Sequence, residues 1–213
     1  MVWLTNKIEF PLPATASEEG VIALGGDLSE ARLVFAYKNG IFPWYSEGEP
    51  IIWYCPPERM VLFPEALKVS KSMRQIIKKG NFTITENTAF NEVIFNCKHI
   101  LRDDDFGTWI TDDMEQAYIN LHQKGIAKSI EVWFYNAEEK KEVLVGGLYG
   151  VDLGNGVFCG ESMFSLISNA SKLAFIHLVQ NNNYKLIDCQ VYNDHLASLG
   201  AREISREVFL KHL

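Results

Sequence analysis

Two polar side chains on one hydrophobic strand are the first chemistry the chain offers. In the run Lys185 to Gln190 the pleat sends Ile187, Cys189 and Val191 one way and Asp188 and Gln190 the other. A polar pair on such a strand needs partners, so it is either a group that orients a reactant or a structural network capping the next turn. Glu161 poses the same choice. It ends the apolar-leaning run Val157, Phe158, Cys159, where a carboxylate is costly unless it meets a cation, either Lys172 or one brought by a ligand. Cys189 lies near Asp194 and His195, which would suit a thiol nucleophile. Its side chain shares the apolar strand face, however, and reads as a small core residue.

Other chemistries find less support. His99, His122, His177, His195 and His212 never pair at i,i+4 or sit beside carboxylates at a ligand spacing, so no metal is expected. Gly146-Gly147-Leu148-Tyr149-Gly150 has no following lysine and no dinucleotide fingerprint. It reads as a strand that backbone or a ligand approaches closely. Lys68 to Lys79 carries five positive charges (Lys68, Lys71, Arg74, Lys78, Lys79) and no acid. Aromatics make up 12% of the chain, several of them in turn-rich stretches: Phe42, Trp44, Tyr45, Trp53, Tyr54 and Trp109. Core packing is the default for each one, and a charge run is by default a solvated face. Together they are what an unpaired nucleotide end would need, since bases stack on rings.

The elements that must position these groups follow from pattern. The 213 residues, 47% hydrophobic and 22% charged, suffice for one domain plus a small lobe, or two small domains. Asp27 or Ser29 caps a helix with Leu33, Ala36 and Tyr37 inward and Gly40 as its stop. Short strands are expected over 51–55 and 60–63. A second helix, from Ser70 to Gly80, should bury Met73, Ile76 and Ile77. Further helices are expected over 88–99 and 111–125, with the acidic stretch Arg102 to Asp105 as a loop. Strands over 128–135, 143–153 and 156–161 lead to a helix over 169–180 and a strand over 185–190. Short helices near 194–199 and 205–212 close the chain. An antiparallel start followed by a β-α-β-like segment indicates a layered α/β or α+β domain, with α+β (mixed α/β) the expected class. The boundary between a small N-terminal lobe (1–70) and a larger domain (71–213) is expected within 65–85.

Compartment and partners are bounded as well. No apolar run reaches transmembrane length, and Met1 to Phe10 has no uninterrupted apolar stretch after Lys7, so neither a membrane span nor a signal peptide is expected. Four scattered cysteines (Cys55, Cys97, Cys159, Cys189) fit reduced thiols of the cytosol. A formal charge of −7 excludes gripping nucleic acid by global positive charge and leaves a local patch.

Ala23-Leu24-Gly25-Gly26-Asp27-Leu28-Ser29, Ala36-Tyr37 and Gly40-Ile41-Phe42-Pro43-Trp44 resemble the N-terminal signature of the leucyl/phenylalanyl-tRNA–protein transferases. The resemblance continues through Gly107-Thr108-Trp109-Ile110, Ala117-Tyr118, the glycine-rich strand, Gly160-Glu161-Ser162-Met163-Phe164-Ser165 and Ala170-Ser171-Lys172. It ends with Leu186-Ile187-Asp188-Cys189-Gln190 and Ser198-Leu199-Gly200-Ala201, and departs from the pattern at Cys55, Lys128 and Leu166. It implies a cytoplasmic enzyme that moves Leu or Phe, and less well Met, from tRNA to the α-amine of proteins beginning with Lys or Arg. That would mark them for degradation in the N-end rule pathway. It also implies a C-terminal domain similar to the N-acetyltransferase (GNAT-like) fold. The acetyltransferase glycine turn is lacking, so acetyl-CoA is not expected, and aminolysis of an activated ester calls for no other cofactor. By resemblance Met163 and Phe158 belong to an apolar pocket, with Tyr37, Trp44, Trp109 and Tyr118 around the aminoacyl-adenosine. Glu161 would hold the acceptor's cationic side chain, and Asp188 and Gln190 would orient the amine. Lys68, Lys71, Arg74, Lys78 and Lys79 are the candidate tRNA contacts. A non-catalytic module that captures basic N-termini and a thioester-dependent acyltransferase are the rival readings.

Overall fold

A computed structural model describes residues 2–100 and 109–213. The acidic loop expected at Arg102 to Asp105, and Gly107-Thr108 of the transferase pattern, lie outside the described residues. The turn-rich first third builds a small mixed sheet: β1 (Val2–Leu4), β2 (Val21–Gly25), then, after α1 (Glu30–Lys38), β3 (Phe42–Pro43) and β4 (Ile52–Tyr54), in the order β1-β2-β4-β3. Ser29 caps α1 by accepting from the Arg32 amide, and Leu33, Ala36 and Tyr37 are buried as the spacing predicts.

The chain then enters a second sheet at β5 (Glu58–Leu62) and leaves it for α2 (Lys71–Lys79). Ser70 caps α2, and Gly80 ends it in the left-handed conformation. Only part of its expected stripe is buried: Met73 faces the core, Ile76 sits at its margin, and Ile77 is 45% exposed. The helix rests on the body along one line of contact, so one residue per turn is covered rather than two.

β6 (Phe82–Glu86), α3 (Phe90–His99), α4 (Asp112–Gln123), β7 (Ala127–Asn136), β8 (Lys141–Asp152) and β9 (Val157–Ser165) follow. α5 (Ala170–Asn181) crosses over to β10 (Leu186–Gln190), and α6 (Asp194–Ser198), β11 (Arg202–Ser205) and α7 (Arg206–Leu210) complete the fold. The second sheet has the order β11-β5-β10-β9-β8-β7-β6 and is antiparallel except where β9 and β10 run parallel. That pair with α5 is the expected β-α-β unit. The whole is an α+β fold, and β5, which precedes the expected boundary, is hydrogen-bonded between β11 and β10 of the large sheet.

Each face of the large sheet carries its own core. On one, α5 packs over Leu148, Phe158 and Ile187. On the other, α3 and α4 share a continuous cluster with the small sheet, joining Tyr37, Phe42 and Trp53 to Tyr118, Tyr149 and Phe209. The glycine-rich stretch of β8 is explained by closeness to protein, as expected for such a strand. A Cβ on Gly146 would stand 2.4 Å from that of Ala170, and one on Gly150 would stand 2.3 Å from the Cys159 carbonyl oxygen and 2.6 Å from the Phe158 ring. No helix among the described residues is long and apolar enough to cross a membrane.

Candidate active site

The parallel pairing of β9 with β10 stops at Cys159 and Asp188. Beyond it β9 continues along β8 to Ser165, while β10 shifts register against β5 between Asp188 and Gln190. The two strands splay, and a cavity of about 930 Å³ opens between them. Crevices at the carboxyl ends of parallel strands are where such folds place ligands. Part of its wall is apolar, made by Leu148, Phe158, Met163, Phe175, Leu178 and Ile187. Aromatic rings of Trp44, Tyr54 and Trp109 also line it, with Trp44 43% exposed.

Asp188, Gln190 and Glu161 meet across the splay. Glu161 Oε1 accepts from Gln190 Nε2 at 2.8 Å and Oε2 accepts from the Tyr118 hydroxyl at 2.8 Å. Because Tyr118 spends its proton there, the Tyr37 hydroxyl donates to Tyr118, at 2.5 Å. On the other side the Gln190 amide N–H donates to Asp188 Oδ1 at 2.9 Å, and Arg59 donates to both Asp188 oxygens at 2.8 and 2.6 Å. Gln190 holds φ 63, in the left-handed region, a conformation of order 1–3 kcal/mol above its alternatives that neighbours must impose. Its amide oxygen has no protein donor among the described residues and belongs to the cavity wall.

The electrostatics follow from this chain of contacts. Desolvation pushes the half-buried Glu161 carboxyl up from 4.5 to about 7, against the nearby phenols of Tyr37 and Tyr118 and the Gln190 amide, and with the added repulsion of Asp188. Burial, then the charge of Glu161, holds both Tyr37 and Tyr118 well above the usual phenol range, so they remain donors. Glu161 forms no ion pair among the described residues, with Lys172 or any other cation. Asp188, in contrast, already has Arg59.

The remaining sequence candidates divide by place. Trp44, Trp109, Phe158 and Met163 line the cavity, as expected. Tyr37 and Tyr118, expected around the nucleotide end, are each 1% exposed and stand behind the wall, where they hold Glu161. Lys68, Lys71, Arg74, Lys78 and Lys79 are all exposed and outside the cavity; Arg74 and Lys78 border a shallow groove with Ile77 and Gln180. Burial pushes the Cys189 thiol well above the usual range, and the thiol donates to the Ile187 carbonyl, so a thiolate nucleophile is disfavoured there. Among the described residues no three His, Cys, Asp or Glu gather as a metal site would require. Sequence reasoning did not find Arg59. Its signal, a lone arginine between Glu58 and Met60 in a strand, does not reveal a partner 129 positions away.

Comparison with known proteins decides the family. Residues 61–213 match the model of the leucyl/phenylalanyl-tRNA protein transferase family, and residues 26–57 match the model of that enzyme's N-terminal domain. The chain belongs to this family. It is therefore an aminoacyltransferase. The leucyl/phenylalanyl-tRNA–protein transferase of Flavobacterium johnsoniae is 57% identical, with 100% of this chain and 99% of that one covered. That of Citrobacter koseri is 51% identical, with 98% and 87% covered. Among solved structures the chain is similar to FemX, with a TM-score of 0.49 and 10% identity over 83% of this chain and 66% of that one. A GCN5-related N-acetyltransferase from Kribbella flavida gives 0.38 and 11% over 80% and 59%.

Proposed function

We propose that this family member transfers Leu or Phe, and Met less well, from aminoacyl-tRNA to the α-amine of proteins beginning with Lys or Arg. Such transfer would mark those proteins for N-end rule degradation in the cytoplasm. The observation that carries the reading is Glu161: a desolvated carboxylate on the cavity wall that, among the described residues, is hydrogen-bonded yet without a cation, beside a glutamine whose amide oxygen has no donor among them. A basic N-terminal residue supplies the missing cation, and among the described residues no lysine or arginine lines the cavity to compete with it.

The apolar part of the wall suits the Leu or Phe side chain. It selects by size and shape, and a methylene there is worth only ~1–3 kcal/mol, which is why Met leaks through. Trp44 and Trp109 offer rings to the terminal adenosine. The exposed basic face, Lys68 through Lys79, supplies the local charge that tRNA binding requires in a protein of net charge −7.

Chemistry then needs little beyond placement. The acceptor α-amine, pKa ~7.7–8.0, is already partly neutral at physiological pH. Its nitrogen attacks the ester carbonyl while an N–H points at Gln190 Oε1. As the C–O bond to the ribose breaks, the amine proton passes through the neighbouring ribose hydroxyl to the leaving oxygen. Asp188, with both oxygens occupied by Arg59, fixes Gln190 and takes no proton.

Labelled Phe-tRNA incubated with peptides beginning Arg, Lys or Ala tests the reading. Label should appear on the first two only. Capture of Arg-peptides without transfer would favour a binding module, and acylation from a thioester donor alone would favour the other rival.

A further inference from the structure

Arg59 is 1% exposed, and its guanidinium lies between the rings of Phe42 and Phe209, 4.6 Å from each centroid. Besides its two bonds to Asp188, it donates to the Gly40 carbonyl at 3.3 Å. Its contacts thus come from the turn after α1, from β3, from β10 and from the C-terminal helix α7. Phe42 also lines the cavity. A buried ion pair is rarely kept for stability alone, since desolvation offsets most of the attraction. Here the pair has a downstream consequence: Asp188 Oδ1, oriented by Arg59 Nε, accepts the Gln190 N–H at the residue whose backbone is left-handed.

We propose that Arg59 is a positioning residue for aminoacyl transfer. Through Asp188 it fixes the backbone of Gln190, and so the direction of the amide oxygen that meets the acceptor amine. The fork geometry matters and the charge alone does not suffice, because one carboxylate oxygen must serve Arg59 and Gln190 together. The inference rests on the role given to Gln190 in the reaction above.

The test is a double-mutant cycle on the full-length protein, with kcat and KM measured for an Arg-peptide and for Phe-tRNA. Arg59→Lys should lower kcat about ten- to a hundredfold, the scale of a misplaced reacting group, with both KM values and the tRNA Kd within about twofold of wild type. If Arg59 acts through Asp188, adding Arg59→Lys to Asp188→Asn should cause no further loss. Losses that multiply, or an Arg59→Lys kcat equal to wild type, would overturn the proposal. So would a parallel fall in tRNA affinity, which is what a merely structural role gives. Should Arg59→Lys fail to fold, the Arg59→Met/Asp188→Leu double variant removes the buried charges together; its kcat should match that of Asp188→Asn, and a lower one counts against the proposal. Amide exchange at Gln190 gives a readout independent of turnover: it should quicken in Arg59→Lys while the flanking Ile187 amide stays protected. Normal kcat in Gln190→Ala would instead overturn the role of Gln190, and no transfer by wild type would overturn the proposed reaction. The exchange data separate both from a failure of Arg59 to hold the strand.

Discussion

Glu161→Gln takes one negative charge from the cavity while keeping the side chain's size, and its two consequences have opposite signs. In the unliganded protein the ionised carboxylate is desolvated, and its pKa rises from 4.5 to about 7. At ~1.36 kcal/mol per pH unit, that displacement amounts to at most about 3 kcal/mol. The folded pKa lies above the unfolded one, so the stability from the neutral acid is fully present below pH 4.5 and is lost as the pH rises through about 7. Glutamine is neutral throughout and loses nothing. The difference in melting temperature, variant minus wild type, should therefore be flat below pH 4.5, widen between 4.5 and about 7, and level off above. For a chain of this size ~1 kcal/mol moves Tm by roughly 2–4 °C, so the widening should approach roughly 6–12 °C at most.

Binding moves the other way. The acceptor's cation loses a charged partner, an interaction worth roughly 1.5–3 kcal/mol, so kcat/KM for Arg-peptides should fall about ten- to a hundredfold. In wild type kcat/KM should also fall as the pH drops below about 7 and Glu161 protonates. That limb should be absent from Glu161→Gln, while the limb of the α-amine at ~7.7–8.0 remains in both. Calorimetry and acceptor kinetics on the same two proteins decide the matter. A wild-type acceptor rate in a normally melting Glu161→Gln would place the cation elsewhere, and a stability gap that ignores pH would mean Glu161 is not the desolvated acid.

Tyr118→Phe removes the donor on Glu161 Oε2, which opposes the rise in its pKa; the acid limb of kcat/KM should therefore move to higher pH, while tRNA affinity stays unchanged. Neutralising Lys71, Arg74 and Lys78 together should weaken tRNA binding and flatten the log–log salt slope by ~0.7–0.9 for each phosphate they neutralise. All three are exposed, so cooperative melting should persist, and an unchanged slope would send the tRNA to another face. Trp44→Ala and Trp109→Ala should each raise KM for aminoacyl-tRNA by removing ~1–3 kcal/mol of base stacking; loss of cooperative melting in either would instead make it a core residue.

The sequence carried the parts of this site that depend on local periodicity. Alternation along β10 points to Asp188 and Gln190 as a pair, although the register shift between them and the left-handed backbone of Gln190 break the simple alternation, and the Gln190 N–H on Asp188 Oδ1 is what joins them. Ser29, Ser70 and Thr111 mark helix starts because each hydroxyl has a backbone N–H within its own turn to accept from. The short strands β1, β2, β3, β6 and β11 escaped notice because two to five residues in turn-rich or polar surroundings give too little pattern to separate a strand from a turn. Contacts between distant segments were equally silent. Tyr37 and Tyr118 both look like residues of an aromatic pocket, and only their meeting across 81 positions shows that they turn their hydroxyls toward Glu161. The same limit hid the character of Asp188. On its own strand it is a carboxylate free to act as a base. Once β5 is laid antiparallel to β10, Arg59 occupies both of its oxygens, and in the proposed reaction the reactive side of the pair passes to Gln190. A glutamine neither gives nor takes a proton at physiological pH, so on that proposal what the site supplies is direction, and the proton travels on the substrates themselves.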